Sequence, residues 1–544
     1  MNANVAAFLA ERAVDSPDQI AIRIPEVKRG SLIFKDTSFK ELEKIVSNLS
    51  CRMSRVGVGK GTRVLVLANP GLELIAGVFA ILRTGGVPVV IDPGMGLRNF
   101  LQCVRQSEPS AVFGIRKGLI LSQLFRKSFR KVDTRISTKW ISNQAGEQDS
   151  SEDFPTVNSA EGDPAAILFT SGSTGPAKGV CYDHGMFLAQ IESIRNRFQI
   201  DVGEIDFPML PVFALFNPAL GMTTVVPPMN PSRPAKADAA LQMRVMEEAG
   251  VTNSFGSPVL WNKIADEAEK TGAALGGMRR VLAAGAALPP SLVERLTRVV
   301  PNATIFSPYG ATEALPLTVI EGGEIRKLAA ATERGEGICV GRPIPGVEVM
   351  IIEVSQEVLT AVDLNALPDG SVGEIIATGT MVTKAYDNRP EATERAKIKD
   401  GNRIWHRMGD LGFLDANGRL WFRGRIAERV VAASGDVFDP ECCEQIFNQH
   451  PGVYRSALVG LGKNKKRVPG IVIQPHSNAF PKTADETGKW IEELKKLGST
   501  SSATARINHF FFRKDLPVDV RHNAKINRIQ LSREYSTHGL EQKA

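Results

Sequence analysis

A chain of 544 residues, 43% hydrophobic and 23% charged, is too long for one ordinary domain and too apolar for a disordered or fibrous protein. Its 66 basic and 59 acidic residues leave a formal charge of +7, a mild excess at this length that excludes a strongly basic nucleic-acid binder. The six cysteines show no paired metal-ligand spacing and read as reduced thiols. No segment reaches the roughly 18 uninterrupted apolar residues of a membrane span, and the start MNANVAAFLAERAVDSPDQ carries acids where a signal peptide is basic. The expectation is a cytoplasmic protein with no integral membrane segment and no nucleic-acid partner.

From Arg63 the sequence runs RVLVLANP, GLELIAGVFAILRTGG and VPVVIDP, which reads as buried strand, helix closed by paired glycines, and buried strand. Such a βαβ unit predicts a parallel sheet covered by helices. The basic stretch FRKSFRKVDTR (125–135) reads as a solvated loop. The alternation returns at AAILFT and at DHGMFLAQIESIRNRF, where Asp183 is a candidate N-cap and Phe187, Ile191, Ile194 and Phe198 share one helical face. It recurs through GMRRVLAAGAAL, PPSLVERLTRVV and ATIFSPYGATEA. After about Gly370 apolar and polar residues alternate around DANG, a hairpin signal. Short strands (SALVGLG, GIVIQP) and helices (DETGKWIEELKKLG) follow, with Cys442 and Cys443 read as helix-packing residues. The predicted fold is α/β: a large N-terminal domain, 1–424, of packed α/β subdomains with a small β-barrel-like part, then a smaller, mobile α+β lid, 425–544.

The stretch FTSGSTGPAKGV, Phe169 to Val180, packs three glycines, four hydroxyls and a lysine into twelve positions. Glycines let backbone N–H groups converge on phosphate oxygens, and the hydroxyls and lysine add donors and charge. A Walker loop needs Gly-Lys-Ser/Thr after four residues and opens directly into a helix. Here Gly175 is followed by Pro176, Ala177 and Lys178, and VCYD precedes the helix, so the phosphoryl-transfer reading fails. The other glycine cluster, GVGKG at Gly57, precedes a strand and does not form a dinucleotide fingerprint.

The same stretch closely resembles the phosphate loop of the adenylate-forming enzymes: acyl-CoA synthetases, peptide-synthetase adenylation domains and luciferases. YGATEA at Tyr309, HRMGDLGFLDANGRLWFRGR at His406 and LPVDVRHNAKINR at Leu516 match that superfamily in order, so the resemblance spans almost the whole chain. It implies ATP and Mg²⁺, and attack of a carboxylate on the α-phosphate to give acyl-AMP and pyrophosphate. Thr170, Ser171, Gly172, Ser173, Thr174, Gly175 and Lys178 then match the β,γ-phosphate loop. Tyr309 and Gly310 match the adenine contact, Thr312 the α-phosphate contact and Glu313 the metal ligand. Gly285 and Ala286 fall among the nucleotide contacts, Asp410 matches the ribose carboxylate with Arg425 as its partner, and Lys525 the lysine that reaches in from the C-terminal domain.

Departures from the common pattern bear on the second half-reaction. PVFALFNPALG (211–221) lacks the aromatic-His pair of many acyl-CoA synthetases, and GRIAER puts Ala427, beside Glu428, where most members have a hinge Asp or Lys. Together with PVDVRHNAKI these features are similar to the β-lactone synthetases of bacterial olefin biosynthesis. That branch adenylates a long-chain 2-alkyl-3-hydroxy acid, whose own hydroxyl then expels AMP, and the resemblance extends to assembly with neighbouring pathway enzymes. The alternatives are a medium- or long-chain acyl-CoA ligase and a degenerate nucleotide-binding scaffold, the last opposed by intact Lys178, Glu313, Asp410 and Lys525. Phe213, Phe216, Met222 and Trp261 are candidates for an apolar acyl pocket. His184 and His406 are the histidines nearest the motifs and the candidates for a closure base.

Overall fold

The computed structural model describes residues 2–142, 153–170, 177–231, 233–462, 467–519 and 525–538. Strands Arg63–Leu67 and Val87–Val90 pair in parallel across helix Leu72–Arg83, as the βαβ pattern predicts. Every residue of that helix from Ile75 to Arg83 is buried, which explains its nearly unbroken apolar sequence. Gly77 is required inside it, because a Cβ there would sit 2.2 Å from the Phe113 ring. Both strands belong to a sheet ordered Thr134–Ser137, Ala111–Gly114, Arg63–Leu67, Val87–Val90, Pro164–Thr170 and Lys178–Asp183. Its first five strands are parallel, and the last folds back antiparallel on Pro164–Thr170.

A second sheet contains fourteen strands among the described residues. Its centre is parallel: Thr223–Val225, Ile205–Asp206, Asn253–Gly256, Arg280–Ala283 and Thr304–Ala311 lie side by side with their C-terminal ends together. At Thr312 the chain reverses into Ala314–Glu321, and from there the sheet is antiparallel through Ile338–Pro343, Leu420–Arg425, Arg403–Leu414, Gly373–Gly379 and Val347–Ile352. Gly373–Gly379, Arg403–Leu414 and Leu420–Arg425 are the alternating segments that follow Gly370 in the sequence. DANG closes the turn between Arg403–Leu414 and Leu420–Arg425, where Asp415 accepts N–H groups from Asn417 and Arg419.

The expected division at 424/425 falls at Arg425, the last residue of strand Leu420–Arg425. Beyond it Val453–Leu461, Val468–Pro475 and His509–Phe512 make a separate sheet. Alternation along Val453–Leu461 sends Leu458 into one apolar cluster with Cys443, Phe447 and Phe510. Ala457 and Val459 point into another, with Leu531 of helix Arg528–His538. Cys442 and Cys443 are both buried on helix Pro440–Phe447. Arg528 is half-buried among three carboxylates, 2.8 Å from Glu428, 3.2 Å from Glu441 and 2.6 Å from Glu444, and so ties the stretch after Arg425 to the last helix. Glu428 is buried there and Ala427 is exposed.

Helix His184–Phe198 bridges the two large sheets. Asp183 caps it, its Oδ1 accepting the Met186 N–H at 2.8 Å. His184 is buried, and its Nδ1 accepts the Val5 N–H at 3.3 Å, which holds the N-terminal segment and fixes the neutral ring. Burial pushes the imidazole down to about 4, against the pull of Asp163 and Asp183. Between pH 6.5 and 4 the unfolded chain therefore binds a proton that the folded chain refuses, and stability falls as pH falls through that window. On going from pH 7 to 4.5 the wild type is expected to lose on the order of 2 kcal/mol more stability than His184→Gln. Denaturation midpoints of both proteins at the two pH values check this; parallel losses would contradict it.

Candidate active site

The hairpin Pro164–Thr170/Lys178–Asp183 forms the edge of its sheet, with Thr170 opposite Lys178. Its outer strand is docked by the segment around Tyr386: the Cys181 N–H donates to Ala385 O and the Asp387 N–H to Gly179 O. That docking places Tyr386 at the centre of the site. Lys178 Nζ lies 4.6 Å and Lys397 Nζ 6.0 Å from the Tyr386 ring centroid, and the Tyr386 hydroxyl donates to Glu313 Oε1 at 2.8 Å. The Lys397 ammonium donates to Thr383 Oγ1 at 3.1 Å, and burial beside Lys178 brings it down to about 7.

Thr312 and Glu313 form the turn between strands Thr304–Ala311 and Ala314–Glu321. Three donors fix it: the Tyr182 hydroxyl on Thr312 O, and the Thr383 N–H and hydroxyl on Glu313 O at 2.9 and 3.1 Å. Just before the turn Gly310 is required, because a Cβ would sit 2.4 Å from Ala314 O. The Tyr309 ring lies 5.8 Å from that of Phe422, and its hydroxyl donates to Asp410 Oδ2 at 2.6 Å. Asp410 faces Arg425 across the antiparallel pair, with Arg425 Nε 3.1 Å from Asp410 Oδ1 but out of line for a hydrogen bond. Burial pushes the Asp410 carboxyl up, while Arg425, the Tyr309 hydroxyl and Lys525 pull it down. Lys525 thus sits within electrostatic reach of Asp410. The backbone at Lys525 is pinned, its N–H donating to Asp519 Oδ1 at 2.9 Å and its carbonyl accepting the Asp519 N–H at 3.0 Å.

Beneath this cluster, between the two sheets, lies an apolar cavity of about 800 Å³ lined by residues of both. The helical face Phe187, Ile191, Ile194 and Phe198 forms one wall, and Thr312 lies at the cavity's edge. Phe213, Phe216 and Met222 line it; Phe213 stacks on Phe255 with centroids 3.8 Å apart, and Phe216 meets Phe187 edge-on at 6.3 Å. Trp261 does not line it. Strand alternation turns Leu282 to the cavity and Val281 and Ala283 to the opposite face, where Trp261 is fully buried in a separate core. Aromatic character alone could not tell these two faces apart.

The cluster brings together Lys178, Tyr309, Gly310, Thr312, Glu313, Asp410 and Arg425, and Lys525 acts on Asp410 electrostatically. Gly285, in a left-handed turn at φ +94°, and Ala286 follow strand Arg280–Ala283; three residues on from the paired Leu282 and Phe306 come Gly285 and Tyr309. Ser171, Gly172, Ser173, Thr174 and Gly175 lie outside the described residues, as does the Thr170 side chain. Neither histidine lines the cavity. His184 serves the N-terminal segment, and His406 is buried, donates its Nδ1–H to Ala396 O at 3.1 Å and is held neutral by burial and by Lys397, Lys178 and Arg425. Tyr386, Lys397 and Tyr182 stand out only in three dimensions, each in a sequence stretch with no motif.

The donor and acceptor sets fit a nucleotide. Asp410 Oδ1 is buried with no hydrogen-bond partner among the described residues, an acceptor that paired ribose hydroxyls would satisfy. No group of three or more metal-ligating side chains occurs among the described residues, and Glu313 alone suits Mg²⁺, which keeps waters and phosphate oxygens in its shell. Tyr386→Phe keeps the ring under Lys178 but removes the donor to Glu313. It is expected to slow acid activation about tenfold at saturating ATP, the size of one charge-assisted hydrogen bond. Pyrophosphate exchange measured against Mg²⁺ concentration checks this, and an unchanged rate would mean that the hydroxyl does not support Glu313.

The sequence profile described as "AMP-binding enzyme" matches residues 9–387. Two proteins named "Olefin beta-lactone synthetase" are similar over 97% of this chain and 97% of their own: one from Stenotrophomonas maltophilia at 38% identity and one from Xanthomonas campestris pv. campestris at 39%. The fold is shared with ATP-bound MatB from Rhodopseudomonas palustris, with a TM-score of 0.80 at 21% identity, covering 98% of this chain and 99% of that one. It is also shared with MenE from Bacillus subtilis in complex with ATP and magnesium ion, with a TM-score of 0.75 at 21% identity over 96% and 98% of the two chains. The chain belongs to the AMP-binding enzyme family and is an adenylate-forming ligase that activates an acid with ATP.

Proposed function

We propose that the protein adenylates a long-chain 2-alkyl-3-hydroxy fatty acid and closes the acyl-AMP onto its own 3-hydroxyl, releasing a cis-β-lactone, AMP and pyrophosphate in a route to olefins. The observation that carries the reading is the end-to-end similarity to the two olefin beta-lactone synthetases. The large apolar cavity at Thr312 supports it with space for a long acid.

In the first step the carboxylate oxygen bonds to the α-phosphorus and the bond to pyrophosphate breaks. Charge grows on the phosphate oxygens, and Lys178, the phosphate hairpin, the Thr312 hydroxyl and Lys525 would answer it. Glu313 would hold Mg²⁺, which neutralises phosphate charge when bound. Asp410 would accept from both ribose hydroxyls and Tyr309 lie against adenine, while Arg425 keeps Asp410 ionised. In the second step the 3-hydroxyl oxygen bonds to the acyl carbon, the acyl–phosphate bond breaks, and the hydroxyl proton leaves with AMP. Nucleophile and mixed anhydride share one molecule, so their high effective concentration offsets part of the ring strain. Residues 1–424 would carry the nucleotide and acyl sites and 425–544 act as the lid that delivers Lys525. An apolar lactone suits hand-over within a complex of neighbouring olefin-pathway enzymes.

Incubation with Mg-ATP and a 2-alkyl-3-hydroxy acid without coenzyme A is expected to give AMP and a product lighter by one water. AMP and a thioester that form only when coenzyme A is added would establish the acyl-CoA ligase instead, and no AMP under any condition would favour a nucleotide-binding scaffold. Lys525→Ala is expected to lose adenylation about a hundredfold while folding normally, the loss of one strong charge contact at the reacting phosphate. An unaltered pyrophosphate-exchange rate would remove Lys525 from the site.

A further inference from the structure

The cavity wall carries a polar group that neither packing nor the nucleotide explains. Gln190 sits on the buried face of helix His184–Phe198, one turn beyond Phe187, and is 4% exposed. Its Nε2–H donates to Leu315 O at 2.8 Å, which fixes the orientation of the amide because only the nitrogen can donate to a carbonyl. Its Oε1 has no hydrogen-bond partner among the described residues, although Gln190 lines the apolar cavity together with Thr312 and Leu315. An orphaned buried carbonyl costs stability, and a leucine or methionine would fill the same place without that cost.

We infer that Gln190 Oε1 is the acceptor for the substrate's 3-hydroxyl, so that Gln190 selects β-hydroxy acids and turns the hydroxyl toward the activated carbonyl. This rests on the reading above. The hydroxyl oxygen is three bonds from the carboxyl carbon, so its partner must lie beside the adenylation residues. Gln190 meets that requirement: it is bonded to Leu315, and Leu315 follows the Thr312–Glu313 turn directly after Ala314.

A second orphan acceptor on the cavity wall, Asn253 Oδ1, does not meet it. Asn253 pairs with Arg280 and Arg280 with Thr304, which places it five residues before Tyr309, roughly 16 Å down the sheet at about 3.3 Å per residue. There its Nδ2–H serves Asp206 Oδ1 at 3.0 Å, at the far end of the acyl chain.

The test compares a 2-alkyl-3-hydroxy acid with the same 2-alkyl acid lacking the hydroxyl, reading kcat and KM for pyrophosphate release with each. The wild type is expected to prefer the hydroxy acid in kcat/KM by roughly tenfold to a hundredfold, the value of satisfying one buried acceptor. Gln190→Met, close in volume and without the amide, is expected to bring that ratio toward one, because the hydroxy acid loses more than its analogue. A wild type without preference, or a Gln190→Met ratio equal to the wild type's, overturns the inference. A wild type without preference overturns the inference even if the variant does not fold. Should the preference and its loss both appear while no lactone forms from the hydroxy acid, Gln190 keeps its role and the lactone reading fails.

Discussion

The Asp410 carboxylate is the point on which the rest of the architecture converges. A buried carboxylate is tolerated only where opposite charge and donors surround it. Here those come from three separate parts of the chain: the Tyr309 hydroxyl at the end of the parallel strands, Arg425 at the end of the antiparallel ones, and Lys525 from the C-terminal segment. The residue therefore ties the end of the parallel strands to the end of the antiparallel ones, with Lys525 acting on it electrostatically. It is left with one acceptor unsatisfied, so the same constraint that assembles the fold leaves a vacancy for hydroxyl donors.

Tyr386 plays a corresponding part on the phosphate side. Two ammonium groups, Lys178 and Lys397, lie near its ring, while its hydroxyl holds Glu313. Burial foremost, and the Lys178 ammonium after it, bring Lys397 down to about 7 against the pull of Glu313. A polyphosphate arriving between these groups would relieve the repulsion between the two ammonium groups.

Much of this was legible from sequence, and unevenly so. The βαβ unit, the Asp183 cap and the DANG turn were readable because each depends on neighbours in the chain. Lys178, Thr312, Glu313 and Asp410 were readable because they sit in motifs of fixed spacing. Tyr386 and Gln190 were not, since their partners lie 73 and 125 residues away and nothing in KAYDN or FLAQIES marks them. The face Phe187, Ile191, Ile194 and Phe198 shows a different limit. Its periodicity correctly gave an apolar helical side, but a side that packs on a core and a side that lines a cavity have the same pattern, and Trp261 was misjudged for the same reason.

The C-terminal unit bears on why an internal nucleophile suits this chain. Arg528 is half-buried against Glu428, Glu441 and Glu444, so the stretch next to Ala427 is locked to the last helix of the unit by charge pairs that water would have to replace if they opened. Breaking a buried pair costs about 3–5 kcal/mol, far more than rotating an alanine in solvent. A swing about this stretch must either carry the Arg528 cluster as one rigid piece or separate Glu428 from it. A thioester-forming enzyme needs such a swing to admit its thiol. In the proposed reaction the hydroxyl already lies in the cavity when the anhydride forms, so both bonds can be made with Lys525 in place and the cluster intact. The chemistry then asks of the hinge only that it close once per turnover.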